Sequence, residues 1–202
     1  MDKTLFYIHD PMCSWCWAFR RTWTEVCDSL DDSIATRYVV GGLAPDSSDP
    51  MPEAMQQMLQ QTWRTIQDRV PGTEFNFDFW TQCRPRRSTY PACRAVLAAK
   101  MQDPEKEKLM IAAIQQGYYL HAKNPSDDDV LIELAGLVDL NTDQFAHDLN
   151  SDDVHTQLHA DISLGQQLGA QGFPSMILVE GDQARMLRLD YNSSANILSQ
   201  LH

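Results

Sequence analysis

The sequence predicts an α/β fold in which one sheet is split along the chain by a block of helices. Two observations carry this. Residues 1–42 alternate strand, helix and strand in pattern, and strand character returns only after residue 174. Residues 53–169 read mainly as one helix after another.

Each element has its own signature. Residues 4–8 form a short apolar run with β-branched and aromatic members, ended by Asp10-Pro11. From residue 13 to 30 the apolar positions Cys16, Phe19, Trp23, Val26, Cys27 and Leu30 recur at helical spacing. Residues 36–40 read as a second strand, closed by Gly41-Gly42. A β-α-β unit of this kind is right-handed with parallel strands. The Pro-, Ser- and Asp-rich stretch 45–52 suits a hinge.

The spacing then predicts a helix over 53–70 with Ala54, Met58, Thr62 and Ile66 on its repeating face. Pro71-Gly72 stops it, and a loop runs through Phe75, Phe77, Phe79, Trp80 and Pro85. Helices follow over 91–102, 105–121, 127–138, 142–150 and 152–169. Residues 175–179 and 184–189 pair as a hairpin, and Ser193 caps a closing helix to residue 201. The division expected is one discontinuous domain of 1–45 and 170–202, with a helical insertion of 46–169.

Composition narrows the function. A net charge of −12 over 202 residues excludes nucleic acid and anionic membrane as natural partners, which both reward basic patches. The opening Met1-Asp2-Lys3-Thr4 leads into only four apolar residues, so no signal peptide is read and the expected location is cytoplasmic. Thiols there stay reduced, and five cysteines cannot all pair. Reactive thiols fit better than a disulfide scaffold.

The chemistry concentrates in Met12-Cys13-Ser14-Trp15-Cys16-Trp17. A C-x-x-C alone is also half a zinc site. Here it follows a strand and opens a helix, where backbone N–H groups and the dipole stabilise an anion. That placement lowers the pKa of Cys13 and makes it the exposed nucleophile. Cys16, one turn on, is the more buried thiol that resolves a mixed disulfide. No second C-x-x-C or C-x-x-H occurs, so no metal site is expected. Downstream, Gly172-Phe173-Pro174 precedes an apolar strand. With the cysteines upstream it reads as a cis-proline that presents the Phe173 backbone to a substrate as an edge strand.

These residues together resemble the DsbA-like thioredoxin superfamily, and within it the cytoplasmic disulfide-isomerase branch related to FrnE-type proteins. The resemblance spans the chain. It implies a thioredoxin-like fold interrupted by an α-helical insertion domain, dithiol chemistry at Cys13 and Cys16, and a cis-proline at Pro174. Many relatives hold a buried carboxylate six residues before the first cysteine. Here Tyr7 stands there, which leaves Asp10 or His9 as the auxiliary group, or none.

Other residues are weighed on their own. Cys93 opens a helix beside Pro91, which suits core packing first and a redox role second. Cys27 is expected to be buried and inert. Arg84, Arg86 and Arg87 form a basic run that reads as solvated surface or as an anion site for a glutathione carboxylate. Met51, Met55 and Met58 read as core or as an apolar substrate groove. Trp15 is expected to be exposed beside the thiolate as an apolar rim, and Trp17 to pack under the insertion.

The leading reading is a thiol-disulfide oxidoreductase or isomerase. Its substrate is a disulfide-containing protein or small molecule, a thiol reductant or oxidant recycles it, and no cofactor is bound beyond glutathione as a redox partner. Two other classes stay open: a glutathione-dependent transferase or isomerase of the kappa or hydroxychromene-carboxylate type, and a non-catalytic holdase or adaptor.

Overall fold

The computed structural model describes residues 3–201. Residues 1 and 2, on which the signal-peptide reading partly rests, lie outside them. Strand β1 (Lys3–His9) leads into helix α1 (Ser14–Asp28) and strand β2 (Ile34–Val40). Then come α2 (Glu53–Arg69), α3 (Phe79–Gln82), α4 (Tyr90–Gln102), α5 (Lys106–His121), α6 (Asp128–Leu137), α7 (Thr142–Asp148) and α8 (Asp152–Gln167). Strands β3 (Ser175–Glu180) and β4 (Gln183–Met186) and helix α9 (Ser194–Leu198) close the chain.

The sheet order is β2-β1-β3-β4, with β1 parallel to β2 and antiparallel to β3. Alternation along β1 separates two layers. Leu5 and Tyr7 face Phe19, Trp23 and Val26 of α1 and Ile197 of α9. Phe6 and Ile8 face the other way, onto Leu164 and Leu168 near the end of α8. A Cβ built on Gly165 would lie 3.4 Å from Ile8, so α8 seats closely on the sheet. α8 therefore covers the sheet while Val154 and Leu158, nearer its start, join the core of the helical block.

That core surrounds α4. Ala92, Cys93, Ala95, Val96, Leu97, Ala98 and Ala99 are all buried, because small side chains let neighbours approach α4 from every side. Trp63, Phe79, Tyr118 and Tyr119 fill one end of this core with ring contacts.

Several expectations shift. On α2 the buried residues are Trp63 and Ile66, whereas Ala54 and Met58 are exposed; the aromatic cluster around Trp63 sets the face. Residues 79–82 form a short helix where a loop is expected, because buried Phe79 packs on Trp63 and Tyr118. β4 stops at Met186 because the Gln200 side chain takes both backbone groups of Arg188. Among the described residues, no helix is long and apolar enough to cross a membrane.

Candidate active site

Helix α1 starts at Ser14 because Cys13 stands at its N-cap in extended conformation (φ −80°, ψ 118°). Serine, threonine or asparagine commonly fills this place and satisfies the free N–H groups. The neutral Cys13 thiol makes no cap bond, and the first turn carries no acidic residue. The N–H groups of Trp15 and Cys16 are left to favour an anionic Cys13 sulfur.

Cys13 is 8 % exposed and Cys16 fully buried, so the nucleophile expected to be exposed is itself nearly covered. Both are free thiols. Hydrogen bonding from the Cys16 thiol is the largest influence on Cys13 and pulls its pKa below the ordinary thiol value, against burial. The Trp15 and Cys16 N–H groups add to the lowering, and the charge of Asp10 opposes it. Burial drives Cys16 the other way, well above the ordinary value, and the Cys13 sulfur adds to that rise. The pair is thus arranged to hold charge on Cys13 and a proton on Cys16.

Phe173 lies directly against this pair. The Cys13 thiol donates to the Phe173 carbonyl at 3.3 Å, and the Phe173–Pro174 bond is cis. The Phe173 ring lies over Gly41, where a Cβ would fall 2.0 Å from its Cε1. Only glycine at 41 leaves the ring where it is. A Cβ on Gly172 would meet nothing, and its φ is not left-handed, so a side chain would fit at this position.

Asp10 is a buried hub. Its Oδ1 accepts from the Met12 N–H at 2.8 Å. Its Oδ2 accepts from the Leu43 N–H at 2.7 Å, the Thr89 hydroxyl at 2.6 Å and the Cys93 thiol at 3.5 Å. One carboxylate ties the Cys13 loop, the turn after β2 and the start of α4 together. Burial raises its pKa, and the four donors partly restore the charged form. Cys93 therefore sits in the buried second layer of the site, its own pKa pushed well up by burial.

His9 does not join that network. Its ring stacks on Tyr7 at 5.3 Å and meets Tyr38 edge-on at 5.9 Å. It is fully buried, and neither ring nitrogen has a partner among the described residues. Burial, with Lys100 nearby, lowers its pKa from 6.5 to about 3. The unfolded chain takes up this proton near pH 6.5 and the fold only near 3, so stability falls as pH drops through that window. The loss is up to about 1.4 kcal/mol per pH unit. In urea titrations between pH 7 and 5, His9→Phe is expected to lose less stability than the wild type.

Trp15 is half-buried, with its ring edge-on to Tyr191 at 5.3 Å, rather than exposed. Packing on Tyr191 accounts for the difference. Trp17 is buried and stacks on Tyr119, whose hydroxyl donates to the Met12 carbonyl at 2.8 Å. Before Cys13 lies a cavity of about 270 Å³, lined by Met51, Trp63, Arg86, Arg87, Tyr118 and Phe173 among others. Arg86 is already engaged by Asp127 and the Ser126 carbonyl. Arg87 also lines the cavity, whereas Arg84 is exposed and does not. Met58 is exposed and lies outside the lining, so of the three methionines only Met51 reaches it.

Four residues of the site escape sequence reasoning: Leu43, Thr89, Tyr119 and Gly41. Thr89 stands just before Tyr90-Pro91 and so invites a helix cap, but it bonds Asp10, 79 residues away. Among the described residues, no three His, Cys, Asp or Glu side chains come together as metal ligands.

Comparisons with known proteins bear on the fold. The thioredoxin family model matches residues 6–197. The ClpXP adapter proteins SpxH of Halalkalibacterium halodurans and Bacillus subtilis are each 23 % identical, over 172 and 174 residues, covering 83 % and 85 % of this chain. The chain spans about half the length of these curated relatives, 56 % of each. Among solved structures, a candidate protein disulfide isomerase from Nitrosomonas europaea superposes with a TM-score of 0.88 at 24 % identity, covering 100 % of this chain and 96 % of that one. The cytosolic disulfide reductase DsbM of Pseudomonas aeruginosa does so at 0.77 and 23 % identity, covering 92 % and 89 %. With a family model matched from within β1 to within α9 and DsbA-like neighbours across the whole fold, the chain belongs to the thioredoxin family.

Proposed function

We propose that the protein is a cytoplasmic thiol-disulfide oxidoreductase that acts through Cys13 and Cys16. The observation that carries this is the placement of two neighbouring thiols, Cys13 at the N-cap of α1 against the Phe173 carbonyl and Cys16 buried behind it. The Cys13 thiolate attacks one sulfur of a substrate disulfide and displaces the other as a thiolate. This leaves a mixed disulfide on Cys13. Cys16 gives up its proton and attacks the Cys13 sulfur. The captured thiol leaves reduced, and a Cys13–Cys16 disulfide remains. Two molecules of a small thiol such as glutathione restore the dithiol, supplying two electrons and two protons and leaving joined as their own disulfide.

The cavity at Cys13 supports this reading. It carries Arg87 for a substrate carboxylate and an apolar floor of Met51, Trp63 and Tyr118. The Phe173 backbone, which bonds only weakly to the Cys13 thiol, is placed to pair with an extended substrate segment. The DsbM structure solved with GSH is consistent with a glutathione-sized occupant. Insulin reduction in the presence of glutathione tests the proposal. Cys13→Ser is expected to fall to the uncatalysed rate, and full activity in that variant would refute it.

The SpxH relatives favour a second reading, an adaptor that binds a protein partner without thiol turnover. Under that reading a Cys13→Ala/Cys16→Ala protein keeps its partner binding and the wild type shows no turnover.

A further inference from the structure

We propose that a second cleft, between α1 and α5, binds a small planar aromatic acid. It shares no lining residue with the cavity at Cys13, and Cys16 of the proposed redox pair lies in its wall. Its volume is about 540 Å³, within the range of small-ligand sites.

The walls fix the ligand class. Tyr7 and Tyr38 of the sheet, Trp17 and Trp23 of α1 and Ile111 of α5 give the cleft flat apolar sides. Such surfaces favour an aromatic body, since rings gain from stacked and edge-on contact beyond area burial. Three cations, Arg20, Arg21 and Lys108, and two carboxylates, Glu25 and Asp28, also line the cleft; Arg21 pairs with Glu25, which leaves Arg20 and Lys108 against Asp28. The Arg20 guanidinium lies 3.4 Å over the Trp17 ring, and the Lys108 ammonium 5.5 Å from the Tyr38 ring centre. Neither is within ion-pair distance of a carboxylate among the described residues, in contrast to Arg21, which pairs with Glu25.

A hydroxyl completes the polar set. Tyr38 Oη accepts from Trp23 Nε1 at 2.9 Å, and its own proton has no nearer acceptor among the described residues than the Cys27 sulfur at 3.9 Å. A carboxylate held between Lys108 and Arg20 would complement both cations, with the ring inserted toward Tyr7. Cys27, expected to be buried and inert, is instead half-buried and lines the same cleft. A ligand of this class would lie against the Cys16 turn of α1 from a side that a substrate at Cys13 does not reach.

The probe is 2-naphthoate, with neutral 2-naphthamide as its partner, titrated into the full chain and followed by the tryptophan indole N–H signals. Saturable shifts are expected at Trp17 and Trp23 and not at Trp63 or Trp80. Lys108→Gln is expected to weaken naphthoate about three- to fivefold while leaving naphthamide within about twofold. Ala112→Phe, which fills the cleft from α5, is expected to abolish both. The proposal is overturned by no saturation up to about 5 mM, by shifts centred on Trp15 or Trp63, or by equal affinity for acid and amide. A concentration-dependent dimer that Ala112→Phe dissolves would also overturn it and assign the cleft to a second copy.

Discussion

Cys16→Ala is expected to convert the protein from a turnover catalyst into a trap. Without the second thiol, the mixed disulfide on Cys13 has no internal attacker and accumulates. Incubation with oxidised glutathione or a disulfide-bearing peptide should give one stable adduct per chain, visible by mass spectrometry and removed by dithiothreitol. Insulin reduction should fall at least about a hundredfold, since release then waits on an external thiol. The same substitution removes the largest influence lowering the Cys13 pKa. Losing a hydrogen bond that favours the charged form should raise the Cys13 pKa.

The second large effect concerns the fold beneath the site. Asp10→Ala leaves the Met12 and Leu43 N–H groups without their acceptor in a buried place, and leaves the Thr89 hydroxyl only the Ala44 carbonyl at 3.4 Å. Each stranded buried donor costs about 1–3 kcal/mol, so a total loss of about 2 kcal/mol or more is expected in urea unfolding. Asp10→Asn also fails, because one amide oxygen cannot serve four donors and its NH₂ faces donors instead. The charge of Asp10 raises the pKa of both Cys13 and Cys16. Any Asp10 variant that folds should therefore show a more acidic Cys13. A destabilised protein with an unmoved Cys13 would separate the scaffold role from the electrostatic one.

How much of this was legible follows from the range of the forces. The short apolar run of β1 and the helical spacing of Phe19, Trp23 and Val26 are local, and they place Cys13 at a helix start directly. The opposite tuning of the thiols follows from that placement. The Asp10 hub was not legible, because it needs Leu43, Thr89 and Cys93 to converge from 33, 79 and 83 residues away. His9 and Asp10 are adjacent and looked interchangeable, yet alternation along the strand end sends one into an aromatic stack and the other toward α4. On α2 only Ile66 of the repeating positions is buried, for a similar reason: periodicity allows several stripes, and the aromatic cluster around Trp63 decides which is buried.

The most direct test is the titration of Cys13 itself, followed by thiolate absorbance near 240 nm in the wild type and in Cys16→Ala, with Cys13→Ser as the blank. A midpoint below that of a free cysteine, moving upward when Cys16 is removed, is the predicted result. A Cys13 that titrates like any exposed thiol, and does so unchanged without its neighbour, would contradict the account at its root.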